Sequence, residues 1–166
     1  SNEIKSRLYY WNAAIDLGAT RPVFGIGFGM FDPNFWGYAL EHQQSEAGRY
    51  YYDVLPAIAG RTPDHVHNEY LEVLAEQGYV GLTLLFAFLL FFFYFGWVQI
   101  MRRADPKVSL RMLAVHSALV VVVVDAFFGF PWRLPVSLLV MVLIVGWLYE
   151  TIYPQLTGEP EPPRFA

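Results

Sequence analysis

Residues 80–100 form one uninterrupted apolar run, and this run limits the chain to a small set of folds. Its length is close to the ~20 apolar residues that a helix needs to cross a bilayer. We therefore predict a membrane-spanning helix over this run. Two more apolar runs, 113–130 and 136–153, predict a second and a third span.

Composition indicates a membrane protein whose first half lies in water. Hydrophobic residues make up 55% of the chain and charged residues 16%, whereas about a quarter of the residues in soluble domains are charged. The apolar excess begins after residue 78. The predicted fold is an all-α polytopic membrane protein, with a region of loops and short helices (1–79), three spans (80–153) and a disordered tail rich in proline and glutamate (154–166).

Basic residues predict the orientation of the spans. The loop between the first two spans carries four of them, the turn after the second span carries only Arg133, and the approach over 62–79 carries none. Positive charge marks the cytoplasmic side, so residues 1–79 and the Arg133 turn are predicted on the outer face. Residues 1–18 contain no signal peptide. We therefore expect an upstream segment to carry this region across, which makes the chain the C-terminal piece of a larger protein.

Charge and residue content exclude several kinds of partner. The net charge is −4 and no basic run is present, so nucleic acid is not an expected partner. Cysteine is absent, which excludes disulfides and cysteine-based metal sites. His65 and His67 would point away from each other on a helix. We therefore predict no metal site and no cofactor.

The N-terminal region contains a predicted helix and a glycine-rich turn. Residues 4–17 show a helical apolar stripe and Gly18 is a suitable C-terminal stop; the stripe consists of Ile4, Leu8, Trp11 and Ile15. Alternating glycines at 25, 27 and 29 predict a tight, irregular turn. A nucleotide-binding glycine loop would need a strand before it and a helix after it. Prolines at 22 and 33, and no helical pattern beyond, argue against that function.

Residues 32–61 are aromatic and polar, and they predict a loop or lid with short helical pieces. Such a surface suits stacking on sugar rings. It equally suits an amphipathic segment at the lipid headgroups, where Tyr and Trp are enriched. The sequence leaves both interpretations open.

A polar helix is predicted over 63–77, directly before the first span. Thr62 is a good cap and Pro63 suits the first helical position. An apolar line runs through the helix, and the three- and four-residue spacing of its glutamates predicts a polar face made of Glu69, Glu72 and Glu76. His67 would lie at the border between the two faces.

Four residues carry candidate chemistry, each with a plainer alternative. The His67 imidazole can accept a proton from a hydroxyl nucleophile, or it can be a structural hydrogen-bonded histidine. Arg133, between two prolines, can bind a phosphate or reach the lipid headgroups. Arg7 is either an anion ligand or a solvated helix residue. Asp125, in the second span, is most simply a helix-packing residue or a partner of Arg133.

Several motifs together resemble the O-antigen ligase and polymerase superfamily. They are Arg7-x-x-x-Trp11, the proline–glycine segment 21–29, His67-Asn68-Glu69-Tyr70-Leu71 and Gly78-x-x-Gly81. The resemblance implies a polytopic glycosyltransferase of the bacterial inner membrane that acts on the periplasmic side without a metal. Its donor would be a polyprenyl-diphosphate-linked glycan, and its acceptor a hydroxyl of lipid A-core, of a growing glycan or of a protein.

The same resemblance implies roles for individual residues. His67 would be the base that activates the acceptor hydroxyl, and Arg7 would hold the diphosphate. Asn68 would orient His67 or a sugar hydroxyl, and its motif neighbours Glu69 and Tyr70 would also bind substrate. A phosphate role for Arg133 rests on orientation alone. The family's N-terminal helices complete the donor groove, so we expect the isolated chain to be inactive.

Two hypotheses from other functional classes remain open at this point. A non-enzymatic part of a transporter or flippase could grip lipid-linked sugars, in which case Arg7 or Arg133 would matter and His67 would not. A purely structural membrane module would show no cleft beside His67.

Overall fold

The computed structural model describes residues 2–42, 45, 65–102, 106–129, 131, 139, 141–144 and 146. Within these residues all regular structure is helical, as predicted, and four helices can be delimited. They are α1 (Asn2–Thr20), α2 (Phe31–His42), α3 (Glu69–Arg102) and α4 (Pro106–Asp125).

Helix α1 packs through a face other than the predicted apolar stripe. Ile4 and Ile15 of that stripe remain 61% and 47% exposed. The buried face combines small and aromatic residues, namely Tyr9, Tyr10, Ala13 and Ala14. Gly18, predicted to end α1, lies inside it, and a Cβ on Gly18 would be 3.2 Å from Cα of Ala75. Small residues let the backbones of α1 and α3 approach each other. Helix α1 therefore buries the face that carries its small residues.

The glycine-rich turn after α1 docks onto a kink in α3 at Gly78, whose φ of 67° and ψ of −164° are not helical. Four backbone hydrogen bonds join the turn to the kink: Tyr79 N–H to Pro22 O (2.8 Å), Val80 N–H to Val23 O (3.1 Å), Ile26 N–H to Ala75 O (2.9 Å) and Gly27 N–H to Glu76 O (2.9 Å). In an unbroken helix, the first two donors would pair with the last two acceptors, four residues earlier. The turn therefore satisfies the polar groups that the kink exposes.

Glycine is required on both sides of this contact. Gly25 and Gly78 have φ values of 71° and 67°, a region that other residues rarely adopt. A Cβ on Gly78 would lie 2.5 Å from the carbonyl oxygen of Val23, and one on Gly25 would overlap the Glu76–Gln77 peptide. The predicted irregular turn is confirmed. Helix α2 directly follows the turn, so the absence of a helical pattern beyond the glycines, which was used against a nucleotide-binding loop, is wrong. A short helical piece was predicted within 32–61.

The predicted helix over 63–77 is wrong at its start. Residues 65–68 are not helical, His67 has a φ of 58°, and α3 begins at Glu69. The proposed cap and first-turn residues, Thr62 and Pro63, lie outside the described residues.

The predicted polar face of this segment is buried. Glu69, Glu72 and Glu76 are 2%, 1% and 1% exposed. Glu76 Oε1 accepts the backbone N–H of Phe31 at 3.1 Å, so this carboxylate caps the start of α2. Glu72 likewise accepts the backbone N–H of Val66, so these two buried carboxylates are tolerated because they accept hydrogen bonds from backbone.

Beyond Gly78, α3 is apolar and mostly exposed. By length and composition it is the one helix among the described residues that could cross a membrane, as the first predicted span requires. Helix α4 packs against its far half around a small apolar cluster, Ile100, Met112, Val115 and Leu119.

The structure describes only part of the second and third predicted spans. Helix α4 ends at Asp125, and a turn occupies 126–129, where the second span was predicted to continue. The third predicted span is described at six helical positions within 139–146. Most of that span, the tail and Arg133 lie outside the described residues, so the three-span topology and the domain boundaries stay predictions.

Candidate functional site

Four segments meet around His67: α1, the loop 65–68, the start of α3 and the turn that follows α4. The backbone N–H of Glu69 donates to the carbonyl oxygen of Ala126 at 2.9 Å. Arg7 Nη1 donates to the carbonyl oxygen of Phe128 at 3.0 Å. The end of α4 therefore lies beside the start of α3. The predicted position of Arg133 on the same face as His67 stays a prediction.

The loop before His67 is fixed by one buried carboxylate. Glu72 Oε2 accepts the backbone N–H of Val66 at 3.0 Å, and Glu72 Oε1 lies 3.1 Å from Nδ1 of His65. Val66 itself is fully buried in the core. Because both residues that precede His67 are held, the left-handed φ of His67 is maintained. Such backbone costs about 1–3 kcal/mol and is found mainly at functional sites.

His67 is half-buried and lies against an aromatic ring. Its imidazole stacks on Tyr10, with ring centroids 6.2 Å apart and planes at 21°. Burial lowers the pKa of His67, and the charges of Arg7 and then His65 lower it further. A lowered pKa keeps the imidazole neutral near pH 7, and the neutral form is the one that accepts a proton.

Arg7 is exposed and lies close enough to His67 for its charge to act on the imidazole. A guanidinium carries five N–H donors. The described part of the chain supplies it with one acceptor, the carbonyl oxygen of Phe128. This geometry leaves Arg7 able to bind an anion next to His67.

The next three motif residues make structural contacts. Asn68 Oδ1 accepts the backbone N–H of Leu71 at 3.1 Å, which makes Asn68 the N-cap of α3. Glu69 is buried. The hydroxyl of Tyr70 donates to the carbonyl oxygen of Val123 at 2.7 Å, and its ring packs against Phe127 at 4.4 Å. Substrate roles for these three residues stay predictions.

The capping contact supports a test of stability. We expect Asn68→Ala to lower the free energy of unfolding by about 1 kcal/mol, because the cap of α3 is lost. In a chain of this size, that corresponds to a fall of about 2–4 °C in Tm. Asn68→Ser keeps a capping oxygen and should melt close to wild type. Equal melting of both variants, measured on purified protein, would contradict the capping role.

Arg7 lies near enough to His67 for its charge to act on the imidazole, while the catalytic roles of both residues stay predictions. The structure adds two residues that sequence reasoning missed. Tyr10 lies one helical turn beyond Arg7, and that spacing is the signal that could have indicated it. Glu72 was assigned to a solvated face, and nothing in its spacing indicates burial. Arg133 lies outside the described residues. Within the described part, no group of three or more His, Cys, Asp or Glu side chains could hold a metal ion.

Comparison with known families gives one match. Residues 1–86, just over half of the chain, match the model of the family described as O-antigen ligase. The matched part ends within the apolar half of α3 and contains α1, the glycine turn, α2 and the His67 loop. No curated protein and no solved structure matches this chain.

Proposed function

This chain belongs to the O-antigen ligase family, and we propose that it carries the reaction site of a membrane glycosyltransferase. The glycan would move from a polyprenyl diphosphate carrier to an acceptor hydroxyl at the periplasmic face of the bacterial inner membrane. The family is membrane-associated and glycosyltransferase-like. The carrier, the acceptor and the side of the membrane are parts of the proposal.

The proposed reaction needs one base and one group that binds the leaving diphosphate. The acceptor oxygen attacks the anomeric carbon, and its proton passes to a ring nitrogen of neutral His67. As the new glycosidic bond forms, the bond from the anomeric carbon to the diphosphate oxygen breaks, and the diphosphate leaves with the electron pair. Arg7 binds the diphosphate and stabilises the negative charge that develops on the leaving oxygen.

The pairing of His67 with Arg7 is the observation that supports this proposal most. The imidazole is half-buried, stacked on Tyr10 and held in a left-handed backbone conformation. The nearby guanidinium both lowers the pKa of His67 and offers an anion site. A structural histidine needs neither a cationic neighbour nor strained backbone. The transporter hypothesis accounts for Arg7 but not for His67.

The test uses the intact gene in cells that lack their own copy. We expect His67→Asn and Arg7→Ala each to abolish the glycan-modified product, seen on a gel of surface glycans, while lipid-linked donor accumulates. Asparagine is preferred to alanine at position 67 because it tolerates a left-handed backbone. A product ladder in wild-type cells would separate polymerase from ligase activity.

Arg102→Ala is the matched control, because Arg102 is an exposed arginine at the far end of α3. It should give normal product at an equal membrane level. Normal product from His67→Asn would refute the base assignment. Loss with Arg7→Ala but not with His67→Asn would favour a transporter.

A further inference from the structure

A cleft of about 500 Å³ lies between α1 and α2. Its lining includes Asp16, Leu17, Gly37, Tyr38, Glu41 and His42. None of these residues takes part in the proposed transfer. The cleft has the size of a site for a small ligand.

One wall of the cleft is held by a hydrogen-bonded aromatic pair. The hydroxyl of Tyr38 donates to Asp16 Oδ2 at 2.7 Å, and His42 Nε2 lies 3.3 Å from the hydroxyl oxygen of Tyr38. The Tyr38 hydroxyl has one proton, so His42 Nε2 is the donor in the second bond. The two rings stack with centroids 4.4 Å apart. This arrangement offers a ligand a fixed aromatic surface beside a carboxylate.

Gly37 borders the cleft, and no contact within the described part of the chain accounts for a glycine there. It lies in the interior of α2, where glycine is less favourable than alanine by roughly 1 kcal/mol. Among the described residues, a Cβ built on Gly37 would meet no atom within 4 Å, and the φ of Gly37 is not left-handed. Close approach of a ligand is a standard reason for glycine in such a position.

The chemistry of the lining selects a class of ligand. Asp16 and Glu41 are carboxylates, which repel phosphates and other anions and accept hydrogen bonds from hydroxyl groups. Glu41 is exposed and makes no hydrogen bond or ion pair within the described part of the chain. Hydroxyl acceptors beside an aromatic surface suit a neutral sugar, which has both polar edges and apolar faces.

We propose that the α1–α2 cleft binds a neutral sugar unit of the glycan, away from the bond that reacts. This inference rests on the proposed function for the presence of a glycan. Arg7 and Asp16 are nine positions apart in α1, which is about 14 Å along the helix axis. Tyr9 contacts Tyr38 on the cleft side while its neighbour Tyr10 stacks on His67. Tyr9 and Tyr10 belong to the same buried cluster, which therefore contacts both the cleft and the His67 site.

The experiment measures binding of sugar and not transfer. The intact protein, in lipid nanodiscs, is mixed with lipid-free oligosaccharides released from the surface glycan of the source cells, and saturation-transfer NMR detects contact. Gly37→Leu would extend a side chain into the cleft from a position where a Cβ meets no atom of the described residues, and we expect it to abolish the signal. Glu41 makes no hydrogen bond or ion pair within the described part of the chain, and Glu41→Gln should weaken binding about tenfold, as expected for a hydrogen bond to a charged group.

Matched variants make the result specific. Gly37→Ala adds one methyl group in open space, and Leu40→Ala changes an exposed residue of α2 outside the cleft; both should bind as wild type does. His67→Asn should also bind normally, so failure of the transfer proposal and failure of this one give different results. Wild-type binding by Gly37→Leu, or no signal from wild type, would overturn the proposal.

Discussion

Replacement of Gly78 by alanine is expected to release the glycine turn from α3 and to destabilise the N-terminal half of the chain. Gly78 allows the kink at which four backbone hydrogen bonds pass between the turn and α3. A Cβ there would lie 2.5 Å from both the carbonyl carbon and oxygen of Val23. The obstacle is backbone, which cannot rotate away as a side chain can. The turn must therefore move, and its hydrogen bonds must stretch or break.

The expected loss combines two effects. The φ of 67° and ψ of −164° at Gly78 lie in a region that is essentially limited to glycine, and a residue with a Cβ there costs roughly 1–3 kcal/mol. Each hydrogen bond that is broken removes about 1 kcal/mol. Loss of two to four of them brings the total to about 3–7 kcal/mol, which exceeds the effect of most single substitutions. Helix α2 should loosen as well, because Phe31 N–H is capped by Glu76, two residues before the kink.

Two other glycines separate these effects. Gly29 also has a positive φ, at 71°, but a Cβ on it would meet no atom of the described residues within 4 Å, so Gly29→Ala reports the cost of a positive φ alone. Gly37→Ala, at a position without a positive φ and without described neighbours, should be neutral or slightly stabilising. Tm measurements on the purified intact protein should rank Gly78→Ala well below Gly29→Ala. Similar melting of these two variants would show that the turn is not docked as described.

The glycine contact also shows what the sequence could predict and what it could not. Alternating glycines before a Gly-x-x-Gly step indicated a turn, because positive φ and close approach leave a local signature. Together, these glycines let the turn form hydrogen bonds with the backbone at the kink in α3. That contact is tertiary, so it leaves no local signature in the sequence. Likewise, the apolar run of α3 was visible from length and composition alone.

The wrong predictions around His67 also arise because tertiary contacts leave no local signature in the sequence. Glu69, Glu72 and Glu76 have the spacing of a solvated face, and periodicity cannot distinguish that face from one buried against backbone donors. A capping threonine and a proline upstream predict a helix that runs back through His67. The actual cap is Asn68, whose side chain accepts the N–H of Leu71. His67 was predicted as the key residue from its motif, but its strained backbone and its stacking on Tyr10 required the structure.

Removal of the His67 imidazole is expected to lower the transfer rate by about 10²–10⁴-fold, the usual contribution of a general base. His67→Asn is the suitable variant, since it keeps a residue that tolerates the observed φ of 58°. The rate is measured with purified intact protein, lipid-linked donor and acceptor in a membrane. Stability should change little, so the Tm of His67→Asn serves as the control for folding.

The pH dependence of wild type follows from the direction of the pKa shift. Burial, Arg7 and His65 all lower the pKa of His67, so the imidazole stays neutral to a more acidic pH than an ordinary histidine. Only the neutral form accepts the proton. Activity should therefore hold below the ordinary histidine pKa of about 6.5 and fall as the pH passes through the lowered value. His67→Asn should lack this acidic limb.

Arg7 is proposed both to lower the pKa of His67 and to bind the diphosphate, and variants of Arg7 distinguish these two effects. Arg7→Gln removes the charge that lowers the pKa of His67, so the acidic limb should move to higher pH while the maximal rate falls, because the diphosphate loses its partner. Arg7→Lys keeps the charge, so the limb should stay near its wild-type position even where the rate drops through loss of bidentate contact. An unmoved limb in Arg7→Gln would mean that the guanidinium does not act on His67 in the working enzyme. The diphosphate role would then have to rest on the maximal rate alone.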